Sequence, residues 1–371
     1  MAIEIRPVPV PVTLGGPDAA EFEAMAETAA LVEESVWGHR RFAYDAYELL
    51  PMYHDGYQGR QAFAAWSGDR CVGRIECTWE RDAAAETVDL ALGVLPEARR
   101  VGVGTALLAA GRAVADGLGR TTITAMSDVP AEALDLRGPR LEARDGSGSI
   151  PAGDTGAAFA LRHGFRLAQL ERVSALPVAD RAAEFAEASA RHEAAATTYR
   201  LRSWIDRAPD DLLDELAVAH AAMSTDPPSG TATYDIEVWD AARVRATEQQ
   251  ALDGRRTTLV TAAVSDEGRV AGYTELSLPA GSSAAFQWDT IVLKEHRGHR
   301  LGMRMKVANL ALLARAAPER TEVVTWNADE NEHMLAINIA LGFTVRGLSA
   351  LWQHEADADA GTAGTGATTG S

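Results

Sequence analysis

A chain of 371 residues is longer than one ordinary hydrophobic core supports and fits two domains of about 150–180 residues. Its 47% hydrophobic content is that of a globular protein, and no apolar run approaches the roughly 18 residues that span a bilayer, which argues against a membrane protein. The formal net charge of −18 argues against a nucleic-acid partner, whose backbone requires a basic face, and suits a cationic or amine ligand.

The first 20 residues carry four prolines and read as an extended entry with a strand near Ala2–Val8. Nothing there has the shape of a secretory leader. Glu21–Trp37 is helix-like, with apolar Phe22, Met25, Ala29 and Val32 at helical spacing. Ala62–Trp66 and Cys71–Trp79 form a hairpin around Ser67-Gly68-Asp69. Cys71 and Cys77 are the only cysteines and sit too far apart on one strand to bridge, so a reduced, cytoplasmic protein is expected. Thr87–Leu95 is a strand, Val103–Leu118 a helix and Thr121–Met126 a strand. Residues 127–156 are rich in Gly, Pro and Asp and show no period, which predicts a long loop. Ala157–His163 is a helix ending at Gly164-Phe165, and a strand runs to Leu176.

Residues 177–197 are charged and Ala-rich and read as a linker helix. The order then repeats: strand Tyr199–Trp204, helix Pro209–Met223 with an acidic start, a loop over 224–230, helix Asp240–Asp253, and a hairpin of Thr257–Val264 and Arg269–Leu278. Strand Ala284–Val292, a Gly-bearing turn, a helix, strand Thr321–Trp326, helix Glu332–Leu341 and strand Thr344–Gln353 complete it. The low-complexity tail 355–371 is expected to be disordered. Each half is mixed α+β.

The repeat is visible in the residues. Asp89–Leu108 reads DLALGVLPEARRVGVGTALL, and Thr290–Leu313 reads TIVLKEHRGHRLGMRMKVANLALL. Aligning Val94 with Val292 puts Arg99 on Arg297 and Gly104 on Gly302, while Arg100 meets Gly298 and Gly102 meets Arg300. In both, a strand gives way to a Gly turn and a helix N-terminus, the arrangement that cradles a phosphate on backbone N–H groups and a helix dipole. The turn Arg99-Arg100-Val101-Gly102-Val103-Gly104 resembles the pyrophosphate loop of the GNAT superfamily of N-acetyltransferases, Arg/Gln-x-x-Gly-x-Gly/Ala. Its counterpart, from Arg297 to Gly302, is similar with Arg300 for the first glycine. Asn331, Met334, Asn338 and Gly342-Phe343 fit a second feature of the family, except that Asn338 stands where Tyr is usual. The two-domain arrangement is similar to the actinobacterial acetyltransferases typified by mycothiol synthase.

The resemblance implies two GNAT-fold domains in tandem: 1–176, and 198–354 after a linker helix over 177–197. It implies acetyl-CoA as co-substrate and a primary amine of a small molecule as acceptor, with direct attack in a ternary complex; a homodimer is compatible with it. The pyrophosphate would be held by Arg99, Arg100, Val101, Gly102, Val103, Gly104 and Thr105 in one copy, and by Arg297, Gly298, His299, Arg300, Leu301 and Gly302 in the other, where Asn331 also contacts the coenzyme. The thioester carbonyl would be polarised by the main-chain N–H of Val94 or Val292. A carboxylate would take the ammonium proton. Asp289 is the candidate, and Ala91 stands at its place in the first copy. Asn338 matches Ala160, and Asn331 matches Gly153. The second copy is therefore expected to be catalytic and the first degenerate. Asn338 cannot supply a titratable proton, so the thiolate would draw its proton elsewhere.

Several residues also carry plainer expectations. Arg300 lacks the freedom of Gly, so an ordinary φ is expected there. His296 and His299 read as solvated, Trp288 and Trp326 as core. No cluster has metal-ligand spacing. The competing class is a non-catalytic coenzyme-A-binding regulatory or scaffold protein.

Overall fold

The computed structural model describes residues 3–355 apart from 83, 136, 195–197, 227–232, 234 and 329–330. The tail, part of the predicted loop over 224–230 and the end of the predicted linker helix lie outside the described residues.

The first half runs β1 (Ile3–Pro7), α1 (Ala20–Trp37), α2 (Ala46–Tyr53), β2 (Gln58–Ser67), β3 (Arg70–Glu80), β4 (Thr87–Val94), α3 (Val103–Leu118), β5 (Thr122–Pro130), the short α4 (Ala131–Leu134), β6 (Arg140–Glu142), β7 (Ser149–Pro151), α5 (Thr155–Arg162) and β8 (Arg166–Pro177). After the linker helix α6 (Ala182–Ala194) come β9 (Tyr199–Ile205), α7 (Leu213–Met223), α8 (Ala241–Asp253), β10 (Arg256–Ser265), β11 (Val270–Pro279), β12 (Ala284–Val292), α9 (Leu301–Ala316), β13 (Glu322–Ala328), α10 (Glu332–Leu341) and β14 (Thr344–Glu355).

Two segments depart from expectation. The predicted loop over 127–156 holds the end of β5, α4 and a β6–β7 hairpin, elements too short to show a period. Helix α2 carries Pro51 inside it, which masked it in the sequence. It forms because Asp45 and Glu48 close a reciprocal capping box at its start.

Twelve strands form one sheet in the order β1-β2-β3-β4-β5-β14-β8-β13-β12-β11-β10-β9. Each half contributes an antiparallel meander and then a parallel pair, β4 with β5 and β12 with β13. The final strands are exchanged. β14 of the second half lies between β5 and β8 of the first, and β8 pairs with β13 of the second. Glu171 on β8 pairs directly with Ser349 on β14, the residue equivalent to it in the repeat, so an approximate twofold axis passes between them. The division into two independent domains is therefore incomplete: neither half closes its sheet alone.

Apolar alternation decides the layers. Val88 and Leu90 point into the core under α3 with Leu107 and Leu108. Ile291 points the other way, into a core shared with Leu212 and Leu216 at the start of α7. Burial of each such side chain contributes roughly 1.5–3 kcal/mol. Helices α1, α2, α7 and α8 cover one face, while α3, α5, α9 and α10 cover the other. The halves are tied on the first face by a buried ion pair, Glu48 to Arg256 at 2.8 Å, and by Trp37 and Phe42 packed on Phe286 and Trp326.

Candidate functional site

The two parallel pairs part before they end. β12 pairs with β13 only from Ala284 to Gln287, and β4 with β5 only from Thr87 to Leu90. Each gap lies beside a Gly turn. Leu293 N–H is bonded to Ala271 O at 3.0 Å, and Leu95 N–H to Val72 O at 2.9 Å. Successive strand N–H groups point to opposite edges, so those of Val292 and Val94 face the gaps.

The second gap also carries an irregularity in the backbone. The register of β11 and β12 shifts between Thr274–Thr290 and Leu276–Gln287, so Trp288 and Asp289 together oppose Glu275. The bulge falls at the point where β12 leaves β13. Gln287 fastens it, donating from Nε2 to the carbonyls of Glu275 at 2.6 Å and Asp289 at 3.2 Å. Trp288 is half exposed at 50%, which corrects the expectation of a core position; Trp326 packs against Phe42 and Phe286.

Asp289 sits at the parting point on the α7 face. Tyr273 donates its hydroxyl to Asp289 Oδ2 at 2.5 Å, and His220 Nδ1 lies 2.9 Å from the same phenol. Burial pushes the Asp289 carboxyl above its usual range against the Tyr273 hydrogen bond. Yet 32% of its side chain stays accessible, because it lines a cavity. His220, stacked on Trp239, is pushed down to about 4 by burial, with the Arg243 charge adding to the effect. It stays neutral at pH 7 and can donate from Nδ1 to the phenol. Glu275 is pushed up to about 8 by burial and by the Asp289 charge. The site thus holds a basic carboxylate oriented by a Tyr–His chain.

The cavity, about 510 Å³, is lined by Asp289 and His220, by Gln169 and Glu171 of β8, and by Trp79 and Thr87 of the first half. The first half therefore walls the second half's site.

On the other face Asn338 is 3% exposed and fully engaged. Its Oδ1 accepts from Lys306 Nζ at 2.9 Å and its Nδ2 donates to Asn327 Oδ1 at 2.6 Å. Asn327 lies on β13 beyond the last pairing with β12, on the wall of the gap. Lys306 is 2% exposed and is pushed down to about 7 by burial. Asn331 uses its side-chain oxygen to cap α10 through Met334 N–H at 3.2 Å.

Both Gly turns have the same backbone with the glycine moved. Arg100 (φ 67) matches Gly298 (φ 87), and Gly102 (φ 94) matches Arg300 (φ 56). The expectation of an ordinary φ at Arg300 is thus overturned: the turn enforces a left-handed residue whichever side chain it carries. Neither α3 nor α9 has a capping side chain, so the first-turn N–H groups at Val103, Gly104 and Thr105, or at Leu301 and Gly302, are open to an anion. Gly104 and Gly302 serve packing, since a Cβ there would meet Phe159 at 3.0 Å or Ile337 at 3.1 Å. Arg99 and Arg297 brace the turns, donating from Nε to the carbonyls of Val94 and Val292 at 2.9 and 3.1 Å; Arg297 also meets Asp226 at 2.9 Å. Val101 and His299 lie at the turn tips, and both are exposed. His296 packs on Tyr199 with its Nδ1 at 3.0 Å from the hydroxyl and is half-buried, so it is not simply solvated; His299 meets the same ring but stays exposed, as expected.

Sequence reasoning missed Tyr273, His220, Glu275 and Lys306, and also the first half's carboxyls. Glu33 is pushed up to about 7 by burial and the neighbouring Asp128 charge, and Asp128 and Glu171 are raised by burial. The first half is thus less bare than its loss of Asp289 suggests. The one signal in the sequence was Lys306 itself, one of only two lysines, beside Met305 on the apolar stripe of its helix. Among the described residues no His/Cys/Asp/Glu group could hold a metal ion, and no helix is long and apolar enough to cross a membrane.

Residues 23–134 match the sequence model of the acetyltransferase (GNAT) family. The whole chain is similar to the solved structure of a tandem GNAT protein from the clavulanic acid biosynthesis pathway, determined without AcCoA: 26% identity, 95% of this chain and 98% of that chain covered, TM-score 0.71. It is also similar in fold to a GCN5-related N-acetyltransferase from Sphaerobacter thermophilus, with 17% identity, 95% of each chain covered and TM-score 0.58. No curated protein matches the sequence at a significant level.

Proposed function

We propose that this chain, a two-domain GNAT-fold protein, is an acyl-CoA-dependent N-acyltransferase that moves acetyl from acetyl-CoA to a primary amine of a small molecule, with the chemistry in the second half. The observation that carries the reading is the parting of β12 from β13 at a bulge that contains Asp289.

The pieces divide by face. The open N–H groups at the start of α9 suit a pyrophosphate, and the gap suits the thin pantetheine arm. Val292 N–H would polarise the thioester carbonyl as negative charge builds on its oxygen. From the α7 face Asp289 takes a proton from the acceptor ammonium, and Tyr273 and His220 hold the carboxylate in place. The neutral amine nitrogen then bonds to the carbonyl carbon while the C–S bond breaks. The second amine proton leaves, and the sulfur takes up one. Lys306, held through Asn338 at the gap wall, keeps an ammonium beside the departing thiolate; the first half carries Leu108 and Ala160 there. Asn338 in this reading is a positioning residue.

The test is thiol release from acetyl-CoA across a panel of primary amines, alongside coenzyme binding by thermal shift. Binding without release by any amine would support the scaffold reading instead.

A further inference from the structure

The acceptor cavity carries information about the acceptor. Six carboxyls line it: Asp89, Glu80 and Glu171 from the first half, and Asp235, Glu237 and Asp289 from the second. No lysine or arginine lines it among the described residues. Part of this charge is already answered. Arg243, behind the wall, lies 3.3 Å from both Glu80 and Glu237. Asp235 accepts from the hydroxyl of Thr87 at 2.6 Å, and Asp89 accepts from Thr124.

Glu171 is different. It stands at the centre of the sheet, set deep among protein atoms, with no side-chain hydrogen bond or ion pair among the described residues. Its equivalent in the repeat is Ser349, whose hydroxyl donates to Asp128 at 2.6 Å. Packing at this place is therefore met by a small neutral residue, and β8 carries a carboxylate instead. Burial and the Asp128 charge hold that carboxyl above its usual range, a cost that a bound cation would relieve. Trp79 adds an aromatic wall suited to an alkyl chain and its ammonium end. The volume, about 510 Å³, is that of a small-molecule site.

We infer that the acceptor is an aliphatic diamine or polyamine, with one nitrogen presented to Asp289 at the gap and another held by Glu171, so that the first half sets the acceptor specificity of the second. The inference rests on the transferase reading for the reacting end alone. It also accounts for product release: acetylation turns the reacting ammonium into a neutral amide, and the product leaves Asp289 with one cation fewer to hold it.

The test uses the full chain, acetyl-CoA, and two acceptors that share a four-carbon skeleton, butanediamine and butylamine. The diamine is expected to have a kcat/KM about a hundredfold higher. Glu171→Gln, and Glu171→Ser, which copies Ser349, are each expected to cut that ratio about tenfold by raising the diamine KM. Equal kcat/KM for the two amines, or a ratio that neither substitution moves, overturns the inference and leaves the transferase reading standing. If no amine releases thiol, the transferase reading fails, and calorimetric titration of butanediamine onto the full chain decides the cation site alone. Binding that Glu171→Gln weakens about tenfold supports it; absence of binding overturns it.

Discussion

Strands β4 and β12 occupy matching places in the two halves, and they part from their parallel neighbours at matching points. Only β12 bulges there. β3 and β4 keep one register from Gly73–Val94 to Thr78–Asp89, whereas β12 sets two residues, Trp288 and Asp289, against one of β11. Gln287, which fastens the bulge, corresponds to Leu90. Lys306 and Asn338 correspond to Leu108 and Ala160. At these positions, then, the first half shows what packing alone requires, and the second shows polar groups where apolar ones suffice. In the proposed function that difference separates residues that hold the fold from residues that act.

The sharpest way to break this comparison is at the bulge. Asp289→Asn should lower kcat by about 10²–10⁴-fold, the range for loss of a positioned general base, and leave the coenzyme dissociation constant within about threefold. Thiol-release kinetics with a binding titration check it. Unchanged turnover, together with loss of activity in Glu33→Gln, would move the chemistry to the first half.

The Lys306→Leu/Asn338→Ala pair copies the first half into the second. Turnover should fall by roughly 10–100-fold, yet the protein should become more stable. The Lys306 pKa in the fold, about 7, lies below its ordinary 10.5. Between those values the unfolded chain binds the extra proton, so wild-type stability climbs with pH across that window, and the burial cost is fully present below pH 7. The double variant should therefore gain about 2–4 kcal/mol at pH 6 and much less near pH 10, as read by denaturant unfolding.

A smaller effect compares the two turns. His299→Asp places a carboxylate at the tip of the second cradle and should raise the KM for acetyl-CoA about tenfold. Val101→Asp, the matching change in the first, should leave it within about twofold. The reverse pattern would show that the first cradle serves the reaction. The smallest effect is conformational: Arg300→Gly removes a left-handed non-glycine residue and should stabilise the chain by about 1 kcal/mol in thermal unfolding, as Gly102 already does in the first half.

Much of this organisation was legible in the residues because it is local. Regular periods gave α3, β12 and α10 their full extents. The alignment of Arg99 with Arg297 gave the repeat, and the place of Asp289 three residues before Val292 gave the candidate base. What stayed hidden depends on contacts far apart in sequence. Tyr273 and His220 meet Asp289 only across strands and helices. Lys306 becomes buried only because α10 brings Asn338 over it. A bulge is a mismatch between two strands, and neither strand records it alone. The ordinary φ expected at Arg300 failed because the turn geometry outranks the local cost of a left-handed arginine, about 1–2 kcal/mol.

The exchange of β8 and β14 constrains how such a chain comes into being. β14 is synthesised after every other described strand, so the N-terminal lobe must wait, one slot vacant, until residues 344–355 arrive. A protein cut short before that point would leave β5 and β8 as raw edges open to pairing with other chains. Two separate copies of a single lobe, each lending its final strand to the other, would build the same twelve-stranded sheet, which makes a strand-swapped pair of identical subunits the simplest precursor of this fused one.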